Sequence, residues 1–321
     1  MSERLMSQRL SVFKTYKLYV GGKFPRSESG RVYEVTGSKD ENWLANAPLS
    51  SRKDARDAVV AARKAQGGWA GATAYLRGQI LYRVAEMLEG RRKQFVDEVA
   101  AAEGSSRKAA SEAVDKAIDR WVWYAGWADK IAQVLGSSNP VAGPYFNFSV
   151  PEPTGVVGLV APADSSLLGL VSRLAPAIVS GNTTVVLASQ ARPLPAVTLA
   201  EVLATSDLPG GVVNLITGFP AELVKPLAAH MDVDALDLAG LDLALLRDTE
   251  LAAADSVKRV ARPLKLGGRK ILAPHPLVEA HGLDHVGRGH DVVGDLRILL
   301  AADGGMDGDE NEDQHGRQQV D

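Results

Sequence analysis

Three groupings in this 321-residue sequence have the residue types that chemistry needs. His281-Gly282-Leu283-Asp284-His285 sets two imidazoles four residues apart with a carboxylate between them, a spacing that suits metal ligation when a helix holds it. Gly282, Gly287 and Gly289 argue against such a helix, so the segment reads as a solvated linker and no metal is expected. Ser105-Ser106-Arg107-Lys108 has the Ser-x-x-Lys spacing of some acyl-transfer enzymes, but no companion motif accompanies it and it sits where a helix should start. Its serines read as helix caps. Gly267-Gly268 reads as a turn and not as a phosphate cradle. The sequence contains no Cys, which removes disulfides, thiolate metal sites, iron–sulfur clusters and a cysteine nucleophile from these residues.

Bulk properties narrow the classes further. The 36 basic and 39 acidic side chains leave a net charge of −3, too weak a field to draw nucleic acid or anionic lipid. Met1–Leu10 has no apolar signal core and no stretch reaches the length of a membrane span, so a cytoplasmic protein without nucleic-acid or membrane partners is expected.

The elements that must position any site follow from periodicity. A helical region is expected over Leu49–Leu135: a helix capped by Ser50 or Ser51 and stopped by Gly67-Gly68, and a second with Leu76, Ile80, Val84 and Leu88 on one face. A long third helix over 106–135 should bury Val114, Ile118, Trp121, Val122 and Ile131, with Trp123, Tyr124 and Trp127 packing helix against helix. Tyr145–Val150 alternates apolar and polar residues as a half-exposed strand does, and Pro151 and Pro153 close it. Strands at Val156–Val160, Thr183–Leu187, Val212–Ile216 and Ala235–Leu238 then alternate with helices near Leu167–Val179, Ala196–Thr205, Ala221–His230 and Leu241–Ala254. That order predicts an α/β fold with a doubly wound, Rossmann-like parallel sheet, whose ligands bind outside the carboxyl ends of the strands. Residues 303–321, acidic and without aromatic, Leu or Ile side chains, are expected to be disordered.

Several phrases resemble one family, the NAD(P)-dependent aldehyde dehydrogenases. They are Lys17–Phe24, Pro153–Pro162, Leu174–Leu187 and Asp207–Gly218, in the family's order, and the likeness extends over roughly residues 17–269. The resemblance implies four parts: a strand and helical region (1–136), an oligomerisation strand (137–153), the Rossmann-like cofactor region (154–269), and a degenerate linker with acidic tail (270–321).

The resemblance also implies which positions should carry the chemistry, and this sequence departs there. The family's reaction uses a cysteine thiolate, absent here. Its oxyanion-stabilising Asn position holds Asp164, and the Glu of its Glu-Leu-Gly-Gly-Lys phrase is Lys265 in Lys265–Arg269. An ionised Asp164 repels an oxyanion, and a protonated Lys265 cannot take a proton from water, so no catalytic residue is expected. NAD or NADP is the cofactor the family implies. Its positions correspond to Ala188, where the family has a ribose-binding Lys, to Gly218, and to Gly240 and Leu241, with Asp242 bringing negative charge to the pyrophosphate. Only 52 residues follow Arg269, so the family's catalytic domain is not expected in this chain. The reading is a non-catalytic, aldehyde-dehydrogenase-like protein that associates with itself or with a full-length aldehyde dehydrogenase paralogue. The alternatives are a contributing subunit of an active dehydrogenase and a nucleotide-binding or small-ligand-binding module.

Overall fold

A computed structural model describes residues 12–263 and 300–301. After an extended arm come a hairpin, β1 (Val32–Thr36) and β2 (Trp43–Pro48), and then four helices, α1 (Arg52–Ala70), α2 (Ala74–Gly90), α3 (Arg92–Glu103) and α4 (Arg107–Trp127). The hairpin and α3 carry no sequence pattern strong enough to announce them.

Ser51 caps α1 by accepting from the Lys53 and Asp54 amides, while the Asp54 carboxylate accepts from the Ser51 amide in return. The expected stop at Gly67-Gly68 is not where α1 ends. It runs on to Ala70 because Trp69 is buried and its indole Nε1 donates to the Ile178 carbonyl at 2.8 Å, which holds the last turn in helical geometry. The long helix expected over 106–135 is broken: α4 closes at Trp127, a turn in which the Lys130 amide donates to the Trp127 carbonyl intervenes, and α5 (Ile131–Leu135) follows. Val122 and Leu76 face outward, whereas Trp121 and Tyr124 are fully buried and the half-buried Trp123 and Trp127 pack against the core that they belong to.

Tyr145–Val150 pairs over only two residues. Within it β4 (Phe148–Ser149) meets β3 (Ser137–Ser138) antiparallel, leaving Tyr145, Phe146, Phe148 and Val150 exposed. A further short pair joins β5 (Glu152–Pro153) to β11 (Leu300–Ala301).

The central sheet holds β6 (Val156–Val160), β7 (Thr183–Leu187), β8 (Val213–Ile216), β9 (Ala235–Asp237) and β10 (Arg259–Ala261), all parallel, in the order β10-β9-β6-β7-β8. Helices α6 (Leu168–Val179), α7 (Leu194–Ala204), α8 (Pro220–Ala229) and α9 (Leu243–Ala254) connect the strands. Alternate side chains along each strand enter different cores. Leu159, Val186, Val213 and Leu215 pack with α2, α3, α4, α6 and α7, while Val160, Val185, Leu187 and Ile216 pack with α1, α8 and α9. Both faces are therefore covered, which is why these strands read as unbroken apolar runs. The fold is the Rossmann-like, doubly wound α/β arrangement that the alternation predicts. Among the described residues no helix is long and apolar enough to cross a membrane.

The Trp69 indole joins the end of α1 directly to the end of α6, beside the Arg77 guanidinium, which donates to the Ala70 and Val179 carbonyls. Trp69→Phe should lower unfolding free energy by about 2–3 kcal/mol through the orphaned carbonyl and the lost ring volume. A denaturant titration reads this as a lower midpoint at unchanged slope. Trp127→Phe, in a half-buried position, should cost under about 1 kcal/mol.

Candidate functional site at the carboxyl edge of the sheet

Strand β6 sits at the switch in winding: the chain passes from β6 through β7 to β8 on one side, then returns to β9 and β10 on the other. The crevice at such a switch is where open α/β sheets bind ligands. Because Val160 pairs with Leu187, Leu187 with Ile216, and Leu159 with Asp237, all four strands end at one edge, and the loops that follow converge there.

After β6, the loop through Asp164 is held from both sides. The Ser166 amide and hydroxyl both donate to Glu103 Oε1, at 2.7 and 2.8 Å, and the Ser165 hydroxyl accepts from the Gly169 amide at 2.9 Å. Asp164 itself is exposed. After β7, Ala188 is buried, with its amide donating to the Ile216 carbonyl at 3.0 Å. The Arg192 guanidinium then donates to the Asp164 carbonyl at 2.9 Å and to the Ser38 hydroxyl at 3.4 Å, tying the first two loops to the hairpin. After β8, Gly218 takes φ +148°, a backbone conformation open to glycine, and the Phe219 ring lies against that of Tyr33 at a tilt of 47°, centroids 5.5 Å apart. Tyr33, Ser38, Gln190, Arg192 and Phe219 border a cavity of about 430 Å³. Burial raises the Tyr33 phenol well above its ordinary pKa, and its hydroxyl has no partner among the described residues.

After β9, the chain crosses β6 at very close range. The Gly240 amide donates to the Val160 carbonyl at 3.0 Å, and a Cβ at Gly240 would lie 2.0 Å from the Ala161 carbonyl oxygen. No other residue type fits without moving backbone. Leu241 is 5% exposed and packs into the core shared by α1, α8 and α9. At the position where the family resemblance places a cofactor contact, the Leu241 side chain thus lies in the core. Asp242 is the N-cap of α9, its carboxylate accepting from the Ala244 amide at 3.0 Å.

The structure thus brings Asp164, Ala188, Gly218, Gly240 and Leu241 to one edge, with Asp242 beside them. Lys265 and the His281–His285 segment lie outside the described residues. Among the described residues no group of three or more His, Asp or Glu side chains is placed to hold a metal ion. Sequence reasoning missed Arg192, Ser166 and Glu103. Each acts through contacts between segments far apart in the chain, which periodicity does not reveal. The capping role of Asp242 was readable, since an Asp just before an apolar helical run is a common start signal.

Comparison with known proteins agrees with this geometry. A model of the aldehyde dehydrogenase family matches residues 24–272. An aldehyde dehydrogenase of Aspergillus niger is 31% identical over 254 residues, 78% of this chain and 50% of the relative. The mitochondrial benzaldehyde dehydrogenase of Antirrhinum majus is 33% identical over 260 residues, 79% of this chain and 47% of the relative. Among solved structures, the NAD+ complex of a Bacillus cereus aldehyde dehydrogenase superposes with a TM-score of 0.73 at 28% identity, covering 83% of this chain and 54% of that one. The chain spans about half the length of the curated relatives it matches. With the fold, the order of its elements and the sequence likeness in accord, this chain belongs to the aldehyde dehydrogenase family.

Proposed function

We propose that these 321 residues do not by themselves oxidise aldehydes, and that they act as a non-catalytic, associating member of the family. The observation that carries this reading is the chemistry of the carboxyl edge: Asp164 and Asp242 put carboxylates there, Ala188 offers no donor, and no Cys exists in the sequence. The α9 N-terminus, which would otherwise attract an anion, already holds the Asp242 carboxylate. The residues present do not fit a nicotinamide dinucleotide.

Association is supported by the short β3–β4 pair. Phe146 is 80% exposed and Phe148 57%, their rings 5.2 Å apart, and such apolar groups beside a strand with free backbone edges are normally covered by protein. A full-length aldehyde dehydrogenase paralogue is the preferred partner, and self-association through these strands and α9 is the fallback. The subunit would then be a component of an active dehydrogenase assembled around it.

Three outcomes test this reading. Purified chain given NAD or NADP with aliphatic and aromatic aldehydes should reduce no cofactor above background, and Asp164→Asn with Lys265→Glu should not change that, because the nucleophile is absent. Turnover comparable with ordinary dehydrogenases would overturn the proposal.

Calorimetry should place NAD in the millimolar range or weaker, since two lost charged hydrogen bonds at about 1.5–3 kcal/mol each move a micromolar site that far. Asp242→Ser keeps a capping oxygen and removes the charge, so affinity should rise about threefold to tenfold with little change in melting temperature. Low-micromolar binding by the unaltered chain would count against the assignment of these positions.

Light scattering should report a species larger than a monomer, or co-purification should recover a full-length aldehyde dehydrogenase. Phe146→Ser with Phe148→Ser should abolish either association. A monomer that recovers no dehydrogenase, and whose double variant behaves identically, would remove the ground for association.

A further inference from the structure

Leu76 on α2 and Val122 on α4 hold places in the helical period that predict burial, yet they are 46% and 42% exposed. Both line one cavity of about 860 Å³ between the two helices. Its base is made of small residues: a Cβ at Gly78 would lie 3.0 Å from the Ala125 carbonyl oxygen and 3.3 Å from the Ala128 side chain, so α2 and α4 meet closely there and the larger side chains stand around a hollow. Tyr75 and Tyr82, 74% and 50% exposed, complete the apolar wall. Four such side chains around one depression form a surface that folded proteins normally cover. The rim is acidic. Arg83 pairs with Asp207 at 3.1 Å and Lys130 with Asp129 at 2.7 Å, which leaves Glu86 without an ion pair or hydrogen bond among the described residues.

An occupant of this groove must be apolar, basic and within reach. Residues 1–11 carry Leu5, Met6 and Leu10 among Arg4, Arg9 and a single acid, Glu3. They enter the fold beside the groove. Lys14 Nζ is 2.9 Å from Glu201, which also pairs with Arg91, and Arg83 lies eight positions before Arg91 and so about 12 Å away along α2. A stretch of 11 residues spans up to about 36 Å, so the tether reaches with slack and holds the segment at high local concentration. Other segments outside the described residues fit less well. Residues 303–321 hold seven acids, and 264–299 leave from β10, at the opposite edge of the sheet from β8, which Asp207 and Pro209 precede. We infer that residues 1–11 dock along the α2–α4 groove of their own chain, with Leu5, Met6 and Leu10 against Leu76, Tyr82 and Val122 and an arginine at Glu86. The segment closes that face within the chain and leaves the β3–β4 edge as apolar surface open to a second protein.

Because the sequence has no Cys, Ser7→Cys gives the full chain a single site for a nitroxide label. In isotope-labelled protein the backbone amide signals of Gly78 and Gly126 should be lost while the nitroxide is paramagnetic and return when ascorbate reduces it. Ala229, on α8 across the sheet, should keep its signal throughout. Leu5→Ser with Leu10→Ser, in the segment, should restore the signals of Gly78 and Gly126 with the label still active, and so should Leu76→Ser with Val122→Ser, in the groove. The groove variant replaces outward-facing side chains, and an unchanged circular dichroism spectrum checks its fold. Signals that persist beside the active label would overturn the inference. Signals lost equally in both variants would do the same, because a tether sweeping past needs no groove. Mixing nitroxide-bearing chain without isotope with isotope-labelled chain without nitroxide should leave every signal intact; loss in that mixture would assign the groove to a second copy and overturn docking within the chain. None of these readouts involves nicotinamide cofactor, aldehyde or Phe146 and Phe148, so failure here leaves the proposed function as it stands.

Discussion

Strand β6 is buried along its whole length, and a buried backbone must place every N–H and C=O in a hydrogen bond. That requirement fixes the rest of the domain. With water excluded from both faces and both edges, β6 needs a strand on each side, and β7 and β9 supply them. Once β9 lies beside β6, the connection from β8 must carry the chain back across the sheet, and α8 does so over the face where α1 also packs. The winding switch is therefore a consequence of satisfying one strand. So is the crevice above it, into which the loops holding Asp164 and Gly240 are drawn.

Much of this was legible in the chain, and the reason is that a doubly wound sheet writes itself locally. Thr183–Leu187 is apolar or β-branched throughout and is a strand from end to end, as read. The helices α6 through α9 begin within two residues of the expected positions because their starts are set by Pro, Asp or the end of an apolar run. What was not legible depends on distant partners. The final turn of α1 survives two glycines because of Ile178, over a hundred positions away. Val122 keeps its place in the helical period yet faces outward, because α4 meets α2 and α6 over a narrower arc than a continuous stripe implies. The candidate site divides the same way: the strand-end positions were found, while Arg192 and Glu103, which hold the loops, were not.

The edge itself shows how charge and fold can part company. Gly240 and Gly218 are retained where backbone comes too close or turns too sharply for a side chain, and both constraints are geometric. Asp242 satisfies an amide at the start of α9 and places a carboxylate at that helix end. A carboxylate there serves the helix as a cap and at the same time opposes any anion at that point. Leu241, the residue before Asp242, contributes its side chain to the core.

Two of the phrases that most resemble the family hold residues that satisfy buried backbone groups. Asn182, fully buried, accepts from the Gly155 amide at 2.8 Å and donates to the Ala177 carbonyl and the Ser180 hydroxyl, joining the starts of β6 and β7 to the end of α6. Asn214 accepts from the Gly21 amide and donates to the Thr184 and Gly211 carbonyls, fastening the N-terminal arm to β8 and β7. Neither touches the carboxyl edge. Replacing either would leave several buried polar groups unpaired at once, a cost comparable with much of the stability of a domain. Replacing a residue whose only task was to meet a cofactor costs the fold almost nothing. Gly-Asn-Thr at 181–183 and Asn214 therefore answer to folding, whereas Asp164, exposed in the loop after β6, carries no such duty.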